Sequence, residues 1–132
     1  METVERTVTL PTGVEGAWEL LTDPAELAAW LGDDVVLHPV PGASGRVLER
    51  DGTDRSLVVD EVEEGRLLSW HWWVDGDGPE TASRVAITLV PATDGTVVRV
   101  TESRASAATG EAWSHRLLHL ESLLLLAAAI RG

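Results

Sequence analysis

Eleven residues near the N-terminus, Thr22-Asp23-Pro24-Ala25-Glu26-Leu27-Ala28-Ala29-Trp30-Leu31-Gly32, restrict the fold more than any other stretch. Asp23 suits a helix cap, since its side chain can accept from the first free backbone N–H groups, and Pro24 suits the first helical position. Glu26 has the spacing to close a capping box, and Gly32 is placed to end the helix. A second start lies just upstream. Thr12-Gly13-Val14-Glu15 has capping-box spacing and leads into Ala17-Trp18-Glu19-Leu20-Leu21. Two short helices are therefore expected at 14–21 and 24–30.

What surrounds them is mostly β. Residues 3–10 alternate, with Val4, Arg6, Val8 and Leu10 on one face and Thr3, Glu5, Thr7 and Thr9 on the other. Further strands are expected near 34–38, 45–50, 55–62, 66–74, 82–90 and 96–103. Turn signals separate them at Pro41-Gly42, Asp51-Gly52, Glu64-Gly65, Asp75-Gly76-Asp77-Gly78 and Asp94-Gly95. From about 109 to 131 the chain reads as one helix of roughly 30 Å at 1.5 Å per residue. Thr109 is its expected cap and Glu111 suits its positive end. Strands grouped together and not alternating with helices give an α+β class. The last helix is the one long enough to cover the sheet.

Length bounds the rest. The 132 residues form one expected domain spanning 1–132, with enough chain for a core. There is no Cys, which removes disulfides, thiol catalysis and cysteine metal sites. The first residues, Met1-Glu2-Thr3-Val4-Glu5-Arg6, lack the basic and apolar regions of a signal peptide. No apolar run approaches the roughly 20 residues that span a bilayer. The expectation is a soluble, cytoplasmic protein. The net charge is −12, from 22 acidic and 10 basic residues, and every basic residue is Arg. Nucleic-acid affinity comes largely from neutralised phosphates, and this chain has no basic cluster for that work. No nucleic acid and no anionic membrane surface is expected as partner.

In its succession of elements the chain resembles the START-like (SRPBCC) superfamily of helix-grip folds. More narrowly it is similar to bacterial solitary domains related to activators of the heat-shock-protein-90 ATPase and to polyketide cyclases. The resemblance rests on Val4-Glu5-Arg6-Thr7-Val8, on the helix signature from Ala17 to Asp23-Pro24 and Trp30, and on Gly65-Arg66-Leu67-Leu68-Ser69-Trp70-His71-Trp72. Ser83-Arg84-Val85-Ala86-Ile87-Thr88-Leu89 and Gly95-Thr96-Val97-Val98-Arg99-Val100-Thr101-Glu102 extend it over nearly the whole chain. It implies a curved antiparallel sheet of about seven strands around the C-terminal helix. It also implies a cavity between them, used by relatives for lipids, sterols or polyketides. Residues 104–112 carry no recognisable catalytic element, and fold alone does not give function.

Candidate site residues follow from alternation. Leu68, Trp70, Trp72 and Val74 share one apolar face, while Ser69, His71 and Trp73 point the other way. Trp70 and Trp72 are either core filling or an aromatic wall, and each indole N–H needs an acceptor. The same period puts Val85, Ile87, Leu89, Val98 and Val100 inside, and carries Glu102 inward with them. In the fold that the resemblance implies, the first and last strands are neighbours. Arg6 is then expected to face Glu102, because a buried charge costs several kcal/mol unless paired; the other reading leaves Arg6 in solvent at the barrel end. On the last helix, Trp113, Leu117, Leu120 and Leu124 form the sheet-facing stripe. Glu111, His115 and His119 are spaced like metal ligands but lie opposite that stripe, where a solvated face is expected. Trp30 either guards the cavity mouth or packs in the core. Leu123–Ile130 is apolar all round, so its outer face near Leu126 meets either the small helices or a second subunit, as in a homodimer.

Phosphate-loop, nucleophile-elbow and metal-cluster motifs are missing from the sequence, so neither cofactor nor metal is expected. The leading expectation is a binding domain for a small hydrophobic or amphipathic molecule of lipid-like or polyketide-like kind. Its walls would be Trp30, Trp70, Trp72, Val85, Ile87, Val100, Trp113, Leu117 and Leu120, with Glu102 and Arg6 setting orientation. A co-chaperone-like interaction module and a cyclase-like enzyme using Glu102 are the alternatives.

Overall fold

In the computed structural model the backbone is described for residues 2–105 and 107–131, and side chains for 3–104 and 109–124. Strand β1 (Glu2–Leu10) is followed by helices α1 (Val14–Thr22) and α2 (Pro24–Trp30). Then come β2 (Asp34–Val36), β3 (Ser44–Leu48), β4 (Asp54–Glu63) and β5 (Leu67–Val74). A 3-10 turn at Pro79–Thr81 precedes β6 (Ser83–Ala92), β7 (Gly95–Ala105) and the long helix α3 (Ala107–Arg131). The strands form one antiparallel sheet in the order β1-β7-β6-β5-β4-β3-β2. This is the α+β sheet-and-helix arrangement expected. Its edges are β1 and β2, and the α1–α2 pair carries the chain from one edge to the other.

Local chemistry accounts for most boundaries. Asp23 accepts from the backbone N–H of Ala25 at 2.9 Å and of Glu26 at 3.3 Å, with Pro24 opening α2 as expected. The cap expected from Thr12 is not made; Gly13 occupies the position and supplies no side chain. Gly32 does not end α2 by a left-handed conformation, since Leu31 is the C-cap with ordinary helical angles. Its constraint is close packing, for a Cβ there would lie 2.8 Å from the Leu48 carbonyl oxygen and 2.8 Å from Val47. The turn between β4 and β5 does use a left-handed glycine, Gly65, at φ 75°. Helix α3 begins at Ala107, two residues before the cap expected at Thr109.

The core lies between the concave face of the sheet and the helices. Leu68, Trp70, Trp72, Val85, Ile87, Leu89, Val98 and Val100 are all at most 3% exposed, as alternation implies. From α3, Trp113, Leu117 and Leu120 complete the layer; from α1 and α2, Leu20, Leu21, Leu27 and Trp30 close it. A bulge between Val59 and Glu61 shifts the pairing of β4 with β5. Ser69 keeps the outward side expected of it but is fully covered there, its Oγ accepting from the Glu61 N–H at 3.2 Å and from the exposed Arg84 side chain at 3.5 Å. Leu126 lies outside the described side chains. Among the described residues no helix is long and apolar enough to cross a membrane. Asp23→Ala removes the acceptor of two orphan N–H groups and is expected to cost about 1 kcal/mol. That corresponds to a melting temperature lower by about 3–5 °C for a domain of this size, read by thermal denaturation. An unchanged melting temperature would show that packing alone holds α2.

Candidate functional site

Register brings the polar centre together. In the β5–β6 pair Trp72 stands opposite Ser83, and in the β6–β7 pair Val85 stands opposite Glu102. Three neighbouring strands thus place Trp72, Ser83 and Glu102 side by side on the concave face. Glu102 is 5% exposed. Its Oε2 accepts from the Trp72 indole N–H at 2.9 Å and from the Ser83 hydroxyl. Its Oε1 accepts from the Trp113 indole N–H, delivered by α3, at 2.8 Å. An indole nitrogen can only donate, so Glu102 serves here as an acceptor for three groups. The rings follow the carboxylate: Trp72 and Trp113 stack at 5.9 Å and 23°, and Trp70 meets Trp72 edge-on at 5.8 Å and 71°. Trp70 is fully buried, and its own Nε1 has no acceptor among the described residues.

Two guanidiniums cover the indole faces. Arg55 Cζ lies 4.7 Å from the Trp72 ring centre, and Arg116 Cζ lies 4.6 Å from that of Trp113 and 5.3 Å from that of Trp72. Glu49 bridges them, Oε2 accepting from Arg55 Nε at 3.1 Å and Oε1 from Arg116 Nη2. The Arg116 and Glu49 side chains are 12% and 13% exposed. Burial pushes Arg116 down to about 10, so it remains charged at neutral pH. Burial also lowers Arg55, against the opposing charges of Glu102 and Asp51. The centre is therefore a row of alternating charge, Glu102, Arg55, Glu49 and Arg116, laid on stacked indoles.

This row opens on adjoining clefts. One of about 290 Å³ is bounded by Glu49, Asp51, Arg55, Trp72, Glu102 and Arg116. A second of about 250 Å³ shares Arg55, Trp72 and Glu102 and reaches Asp77, Ser83 and Arg104. A third of about 580 Å³ shares Glu49 and Arg116 and runs to Trp30, Arg50, His115 and His119.

The expected site residues divide accordingly. Trp72 and Glu102 line the central clefts, and Trp30 lines the large one while its Nε1 donates to the Leu20 carbonyl at 2.7 Å. Trp70, Val85, Ile87, Val100, Trp113 and Leu120 pack against one another in the core. Where an apolar hollow behind the sheet was expected, these side chains pack together among the described residues, and the clefts run along their rim. Leu117 and Arg6 border a separate cleft of about 220 Å³ on the far side of α3. The expected pairing of Arg6 with Glu102 is not made. On the edge strand β1, Arg6 stands opposite Val100, is exposed, and donates from Nε to Ser114 Oγ at 3.0 Å and from Nη1 to the Glu5 carbonyl at 2.8 Å. An edge position lets the guanidinium reach water, and indoles meet the need of Glu102 for donors instead. Glu111, His115 and His119 are exposed along α3, and among the described residues no three potential ligands converge on a metal site.

Glu49, Arg55, Ser83 and Arg116 went unrecognised in the sequence. A signal existed for three of them: Glu49 follows Val47, Arg55 precedes Leu57 and Ser83 precedes Val85 at the two-residue spacing of an inward face. Arg116 sits beside the Trp113–Leu117 stripe. Glu102→Gln would set an amide N–H₂ among three donors and is expected to destabilise the fold by about 2–3 kcal/mol. Urea denaturation checks this, and a loss below about 0.5 kcal/mol, within the spread of ordinary surface substitutions, would mean the three bonds contribute little.

Comparison with known proteins fits this architecture. The chain is 29% identical to DynU16, a protein of the dynemicin biosynthetic locus, with a TM-score of 0.83 over 94% of this chain and 47% of that one. It thus spans about half of DynU16. Protein MLL2253 from Mesorhizobium loti is 25% identical, with a TM-score of 0.82 over 93% of this chain and 96% of that one. The Aha1 dimer from Colwellia psychrerythraea, 20% identical with a TM-score of 0.81 over 94% and 96%, shares the fold. No curated protein matches the sequence significantly. Residues 11–124 match the family model described as activator of Hsp90 ATPase homolog 1-like protein, and the chain belongs to that family.

Proposed function

We propose that this domain binds a small amphipathic molecule in the clefts beside α3, with Arg55 and Arg116, seated on the buried Trp72 and Trp113, as its contact surface. The observation that carries the reading is the row of buried and half-buried charges on stacked indoles, opening directly on the 290 Å³ cleft. Binding sites commonly combine apolar walls with a few placed polar groups, and the joined clefts reach the size of such sites. Guanidinium stems and Ala112 supply the apolar contact; unused guanidinium N–H groups supply direction. The likeness to DynU16, from a biosynthetic locus, is in keeping with a small-molecule ligand. Glu102 holds the indoles in place more than it addresses the ligand, since three of its roughly four acceptor sites are taken. The same saturation weighs against a cyclase-like enzyme with Glu102 as acid or base.

A protein-interaction module, similar to activators of the heat-shock-protein-90 ATPase, is the second reading, and the filled apolar core favours it. Native mass spectrometry of protein purified from its host separates the two. A small molecule that co-purifies, and is lost in Arg55→Met with unchanged circular dichroism, is the expected outcome. A ligand-free chain that co-purifies with a large stoichiometric partner would replace the first reading with the second.

A further inference from the structure

The donors of Arg55 and Arg116 outnumber the acceptors that the fold gives them. Each guanidinium carries five N–H groups. Among the described residues Glu49 takes one from each, one carboxylate oxygen per arginine. Glu102, the other carboxylate of the row, has its oxygens turned to Trp72, Trp113 and Ser83. Among the described residues no nitrogen of Arg55 or Arg116 is both unpaired and sealed from the surface. The unused N–H groups are therefore open to the clefts that these side chains line, and the one of about 290 Å³ is common to both.

From this geometry we infer that the central cleft takes the carboxylate of an amphipathic acid, held between Arg55 and Arg116, with its apolar body along the arginine stems and Ala112 of the cleft wall. The inference rests on the reading of these clefts as a ligand site and names the group recognised there. Glu49 supplies the template, since its two oxygens already span the two guanidiniums as a carboxylate would. Burial depresses both arginines, so the pair gains from a further negative charge. Asp51, Glu49 and Glu102 line the same cleft. They favour a single negative charge over a phosphate dianion. Glu49 is then a built-in competitor of the ligand.

Isothermal titration with 2-naphthoate and its neutral isostere 2-naphthamide tests this on the wild type, Glu49→Gln and Arg116→Gln, each checked for fold by circular dichroism. Naphthoate is expected to bind about tenfold tighter than the amide, as a charge-assisted contact does. Glu49→Gln should tighten naphthoate several-fold and leave the amide unchanged, and Arg116→Gln should erase the preference. Removal of a merely structural carboxylate would not improve binding, so the first variant decides the matter even if the second fails to fold. Equal affinity of acid and amide, unaltered in Glu49→Gln, overturns the carboxylate assignment and leaves the ligand site standing. Binding of neither compound overturns both.

Discussion

A carboxylate buried under a helix holds this architecture in register. Left alone in an apolar interior, Glu102 would cost several kcal/mol. Surrounded by the N–H groups of Trp72 and Trp113 and the hydroxyl of Ser83, it becomes the point at which three strands and α3 must agree. Hydrophobic contact between α3 and the sheet is non-directional and would tolerate a slide along the helix axis. Hydrogen bonds to one pair of oxygens would not. The indole stack, and through it the seats of Arg55 and Arg116, follow from that demand.

The consequence for function is where space is left. Large residues from both layers meet in the middle: Trp70, Trp72 and Trp113 are each at most 1% exposed. Among the described residues these indoles take up the middle of the space between α3 and the sheet. Helix α3 packs chiefly on β1 and β7, and on its other side the clefts open between α3, the Glu49–Asp51 turn and the start of β4. Polar residues collect at that border because water reaches it, while the indole faces behind them stay dry. A charged surface backed by buried indoles is the result, and it suits an amphipathic guest better than a purely apolar one.

Several elements were readable from residue order alone. The Asp23-Pro24 start, the glycine turns and the strand runs act through local backbone chemistry, and each sits within a few residues of its expected place. The inward set Val85, Ile87, Val98, Val100 and Glu102 followed from the two-residue period, because a strand must turn alternate side chains to opposite faces. The full burial of Ser69 on the outer face was not readable, since its cover by Glu61 and Arg84 depends on how β4, β5 and β6 meet and not on any strand separately.

Residue pattern thus settled which side chains go inside and which elements carry them, for both depend on spacing of a few residues along the chain. It could not settle who meets whom. Arg6 and Glu102 share the inward parity of adjoining strands, yet an edge strand under α3 sent one to Ser114 while a central strand sent the other to two indoles. The joining of Glu49, Arg55 and Arg116 across sequence separations of 6 and 67 residues is likewise a product of packing. Such pairings are chosen by the relative position of whole layers in space. Only the folded chain decides that position.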